Sequence, residues 1–139
     1  MMTVSTLVNP TLRALAQVVL YSECDENGVP LDANYSIEDF DEKSLEKLYA
    51  EFQQFVSEVE SAITKKIGDK WECIDDFYDV CQPVEGQTEH DYILTRNHHG
   101  AGFWDGDWNN SVAQILTDAA NKQGEFSACV GDDKKIYIC

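Results

Sequence analysis

His90, Arg96, Asn97, His98, His99, Asp105 and Asp107 fall within eighteen residues and are the side chains best suited to chemistry. An imidazole works as acid or base near neutral pH, and a guanidinium grips phosphate or carboxylate through paired hydrogen bonds. A hydrolase built here would use His99 as its acid–base group, Asp105 to orient it and Arg96 as an anion clamp. Gly100 and Gly102 would let backbone approach a ligand closely, with Phe103 and Trp104 walling one side. The same residues also fit a structural turn in which Arg96 bridges Asp105 or Asp107 and Asn97 caps the turn. In that arrangement the histidines are solvated or bonded to backbone, and Phe103 and Trp104 belong to the core.

Other chemistries find less in the sequence. Tyr92 to Thr95 has the aromatic and β-branched content of a strand, which would turn adjacent His98 and His99 apart and leave only one to join His90 and an aspartate around a metal. No serine or cysteine sits in a recognisable nucleophile setting, and the Gly-Ala-Gly element lacks the phosphate-binding glycine patterns. No metal or cofactor is therefore expected, and no catalytic residue is assigned outside the hydrolase alternative.

The elements that would position these residues are legible from caps and periodicity. Asn9 and Pro10 predict a helix start, followed by Leu12, Leu15, Ala16 and Val19 at helical spacing and a stop before the polar turn Asp25-Glu26-Asn27-Gly28. Val29-Pro30-Leu31 is expected to run extended, with loop up to Tyr35. Ser36-Ile37-Glu38-Asp39 has the form of a capping box, and Asp41 offers a second start. Leu45, Leu48, Phe52, Phe55, Val56, Val59 and Ile63 form the stripe of a main helix over about residues 41–66, ended by Gly68. A further short helix is expected from Trp71 to Val80, broken by Pro83 and Gly86. Asp107, Asn109 or Asn110 then caps a helix carrying Val112, Ile115, Leu116 and Ala119, closed by Gly124. Residues 126–130 and 135–138 flank Gly131-Asp132-Asp133-Lys134 as a hairpin. The expected fold is α+β: N-terminal helices packed on a small antiparallel sheet with a C-terminal hairpin, in a single domain over residues 1–139.

Charge narrows the partners. The chain carries 26 acidic and 10 basic residues, a formal charge of −16, on a 43% apolar sequence that can fill a core. Such a polyanion gains nothing from counterion release on DNA or RNA and is repelled by anionic membrane surfaces, so a basic protein is the expected partner. Eight carboxylates and no Lys or Arg lie between Glu23 and Glu42: Glu23, Asp25, Glu26, Asp32, Glu38, Asp39, Asp41 and Glu42. A second base-free run, between Lys70 and Arg96, holds seven acids, among them Asp75, Asp76 and Asp79. Five cysteines without a C-x-x-C pair argue against zinc and suit a reducing cytoplasm. No basic leader region precedes a cleavable apolar stretch, and no run approaches the ~18 apolar residues of a membrane span.

The run from Tyr92 to Asp105 (YILTRNHHGAGFWD), together with Val130 to Tyr137 (VGDDKKIY), resembles a family of small proteins encoded by bacteriophages. The likeness covers roughly the last third of the chain, and is looser around residues 31–35 and in the long helix. Arg96, Asn97, His99, Trp104 and Asp105 fit the motif, whereas His98 departs from it. The resemblance implies a viral origin and a bacterial host cytoplasm, and carries no mechanism with it. Three functions follow as expectations: an acidic mimic of nucleic acid that inhibits a host nucleic-acid-binding protein, the small hydrolase above, or a non-enzymatic virion or regulatory component. The mimic would use the carboxylates of both base-free runs as its binding surface.

Overall fold

The side-chain oxygen of Asn9 accepts the backbone N–H of Leu12 at 3.1 Å, and Pro10 follows where a missing N–H does no harm, so helix α1 (Pro10–Ser22) begins where the residue types place it. The computed structural model describes residues 9–67, 87–99, 101–103 and 110–138. The helix expected at residues 71–80, the breaks at Gly68, Pro83 and Gly86, and the caps at Asp107 and Asn109 lie outside the described residues. The described chain is α+β: α1, then 3-10 turns at Leu31–Ala33 and Ile37–Asp39, α2 (Glu42–Ile67), α3 (Gln87–Arg96), α4 (Asn110–Gln123), and strands β1 (Ala128–Val130) and β2 (Ile136–Ile138). It divides into two compact units, Met1–Ala50 with Phe126–Cys139, and Glu51–Glu125.

In the first unit, α1 packs against both 3-10 turns. Leu12, Leu15, Ala16 and Val19 are buried on it, as their spacing predicts, and Leu31, Ile37, Phe40, Leu45, Leu48, Phe126 and Ile136 are buried in the same unit. The segment expected to be plain loop contains the one-turn helix at Leu31–Ala33, because the Ala33 N–H closes onto the Pro30 carbonyl and buries Leu31. β1 and β2 pair antiparallel with Cys129 opposite Tyr137, and the Asp41 N–H donates to the Ile136 carbonyl at 2.8 Å along the other side of β2. Asp41 then accepts from the backbone N–H of Ser44 at 3.1 Å and caps α2.

The second unit contains the rest of α2 with α3 and α4. Phe52, Phe55 and Val59 of the predicted stripe are buried, and the Phe55 ring lies 4.7 Å from that of Tyr92 and 5.8 Å from that of Phe103. Burying one such ring contributes about 1.5–3 kcal/mol. Gly124 closes α4 at φ +80°, a conformation that suits glycine.

One element overturns expectation. Tyr92 to Thr95 lies within the ten-residue helix α3 and is not a strand. From Asp91 to Arg96 every residue is buried, so the segment shows no polar face whose period would distinguish helix from strand, and burial overrides its β-branched content. His98 and His99 consequently do not alternate along a strand: they form the exit of α3.

Candidate functional site

Arg96 is the last residue of α3 and is only 3% exposed. Its Nε donates to the Gly124 carbonyl at 2.8 Å, and Nη1 donates to Glu51 Oε1 at 2.9 Å and to the Tyr92 hydroxyl at 3.0 Å. Nη2 reaches the Gln123 carbonyl at 3.5 Å, so the guanidinium satisfies the carbonyls that α4 leaves open at its end. Gln123 completes the cluster: its Nε2 donates to the Glu51 carbonyl at 2.7 Å and its Oε1 accepts from the Tyr92 hydroxyl. Burial pushes the Tyr92 phenol up to about 12, although the adjacent guanidinium works in the opposite direction. The cluster joins α2, α3 and α4 and directs the Arg96 donors to internal acceptors.

The other histidine-segment residues divide around that staple. The His99 N–H donates to the Leu94 carbonyl at 3.1 Å and the His98 N–H to that of Thr95 at 3.4 Å, with His98 at φ +54°; this pattern of backbone bonds ends α3. Both imidazoles are exposed, and His98 Nε2 stands 3.7 Å from Glu125 Oε1, a surface pair worth little. Asn97 is half-buried. Phe103 is fully buried and its N–H donates to Thr95 Oγ1 at 3.3 Å, which places it in the core as the structural-turn alternative expects. Trp104, Asp105 and Asp107 lie outside the described residues, and the carboxylate found on Arg96 is Glu51 of α2. His90 Nδ1 lies 2.9 Å from Oδ1 of the buried Asp91, an orienting pair that adjacency alone did not reveal. Among the described residues no group of three His, Cys, Asp or Glu is placed to hold a metal ion.

The first base-free acidic run lies wholly in the first unit, and none of its eight carboxylates is buried. Glu26, Asp32 and Glu38 are exposed, while Glu23, Asp25, Asp39, Asp41 and Glu42 are half-buried. Three of them also shape backbone. Asp25 Oδ1 accepts the N–H groups of Asn27 at 2.8 Å and Val29 at 3.0 Å, Asp39 Oδ2 accepts that of Ser36 at 2.8 Å, and Asp41 caps α2. Each such bond occupies one carboxylate oxygen and leaves the charge intact. Asp75, Asp76 and Asp79, from the second run, lie outside the described residues.

Two further acids join from the hairpin. Asp132 and Asp133 are exposed at its tip, where the Tyr137 hydroxyl donates to Asp133 Oδ2 at 2.6 Å. That bond, with the Lys135 N–H, holds the Asp133 carboxyl below its ordinary range and lifts the Tyr137 phenol to about 12. A groove of about 540 Å³ brings Asp25 and Glu26 together with Asp132, with Lys134 the one basic residue among the described residues of its lining. No helix among the described residues is long and apolar enough to cross a membrane. No family model, curated protein or solved structure matches the chain.

Proposed function

We propose that this chain is an acidic interaction protein whose first unit engages a basic protein, one that otherwise holds nucleic acid. The observation that carries the reading is that eight carboxylates in a run without Lys or Arg all remain at least partly in solvent. Clustered charge of one sign speeds encounter with a cationic cleft and is screened beyond roughly 10 Å at moderate salt, so binding should be fast and salt-sensitive. The motif resemblance extends the proposal to a phage product acting on a host enzyme in a bacterial cytoplasm. A hydrolase using His99, Asp105 and Arg96 has weaker support, because an anion would have to displace Glu51 and two backbone carbonyls to claim the guanidinium.

Capture from bacterial lysate at low salt tests the proposal. The tagged chain should retain a nucleic-acid-binding protein that added duplex DNA releases, and the combined variant Glu26→Gln, Asp32→Asn, Glu38→Gln should retain less of it. Retention unaffected by DNA and by charge removal would reject the reading.

A further inference from the structure

We propose that the outer edge of β1 receives an extended, lysine- or arginine-bearing segment of the partner as an added strand. This rests on the reading of a basic partner and names the place and geometry of contact.

The register of the hairpin decides which groups face outward. The Gly131 N–H donates to the Lys135 carbonyl at 2.9 Å, making these two residues a hydrogen-bonded pair. Antiparallel ladders alternate, so Cys129 turns its main-chain groups toward Tyr137, while Ala128 and Val130 turn theirs away from β2. The opposite strand obeys the same alternation: Ile136, facing Val130, directs its carbonyl outward to the Asp41 N–H. That side of β2 is covered. Among the described residues, the main-chain groups of Ala128 and Val130 on β1 have no backbone partner and the sheet has two strands. An edge of this kind templates pairing with another chain.

The groove beside the edge selects what pairs. Its lining includes Ala128 and Val130 of β1 together with Asp25, Glu26 and Asp132. A strand alternates its side chains between faces, so an incoming segment can present cations to these carboxylates while its backbone bonds to β1. A second copy of this chain is the alternative occupant, and a formal charge of −16 opposes it.

The test uses the full chain and an eight-residue probe alternating lysine and valine, beside the same peptide methylated on alternate backbone nitrogens. The unmodified peptide should bind, slow hydrogen exchange at the Ala128 and Val130 amides, and bind about tenfold more tightly than the methylated one. Val130→Pro removes an N–H that faces away from β2 and should weaken the unmodified peptide to a similar extent, with unchanged circular dichroism. Equal binding of the two peptides rejects strand addition and leaves the charge reading standing. Binding of neither peptide also rejects it; if in addition no DNA-released protein is captured from lysate, the charge reading falls too. Concentration-dependent dimers that protect the same two amides would overturn the proposal in favour of self-pairing.

Discussion

Arg96 in the second unit and Asp25 in the first each hold backbone in place through charged hydrogen bonds, yet Arg96 is 3% exposed and Asp25 is only half-buried. The guanidinium is surrounded by Glu51, Tyr92 and the carbonyls ending α4, so its charge serves internal structure. Asp25 gives one oxygen to two N–H groups and keeps its other oxygen outside that turn. Stripping water from a charge is expensive, so an enclosed ion becomes committed to its partners, whereas a half-wet one shapes a turn and still acts at a distance. On the proposed reading, the first unit is the one whose charges remain available to a partner, while the enclosed Arg96 charge of the second is not.

Removing the enclosed cation should have the largest effect. Arg96→Ala is expected to lower the unfolding free energy by about 3–5 kcal/mol, read from urea titrations, because Glu51 and the carbonyls of α4 lose their donor. A loss near zero would mean that the staple does not contribute. Glu51→Gln keeps a hydrogen-bond acceptor and should cost less, about 1–3 kcal/mol by the same measurement.

Alkali probes the two units through their tyrosines. The Tyr92 phenol ionises near 10 in an unfolded chain and at about 12 in the fold, so its neutral form favours folding; that contribution is complete below 10 and is lost as pH rises toward 12. Ultraviolet phenolate absorbance should show Tyr92 and Tyr137 both ionising near 12 before the chain unfolds, and Tyr137→Phe should delete one of those transitions.

Smaller effects are expected from the half-buried and exposed acids of the first unit. Asp41→Ala removes the α2 cap and should cost about 1 kcal/mol in urea unfolding. Glu26→Gln with Asp32→Asn should change stability by less than about 0.5 kcal/mol while slowing association with the captured partner, a separation that stopped-flow kinetics at two salt concentrations would reveal. Equal losses of stability from Arg96→Ala and from this surface pair would erase the contrast between the units.

The fold is legible in the sequence where local chemistry governs. The Asn9 cap, the Ser36–Asp39 pairing, the Leu45-to-Val59 stripe and the hairpin around residues 131–134 each follow from interactions a few positions apart or from the period of burial. Tyr92 to Thr95 misled because a helix enclosed on nearly all sides carries no alternation to read. The Arg96–Glu51 contact spans 45 positions, and no local pattern encodes it. At the candidate surface the acids were visible in the sequence; the groove was not, because only the fold brings Asp132 beside Asp25 and Glu26.

His98 adopts φ +54° at the exit of α3, in the region that side chains other than glycine rarely occupy. The bend goes with the local bonds that end the helix, His98 N–H to Thr95 and His99 N–H to Leu94, and places a side chain where glycine fits more readily. Cropping that imidazole to glycine should relieve the steric conflict and firm up the helix end, so the histidine outside the motif marks a place where this chain has room to be made more robust.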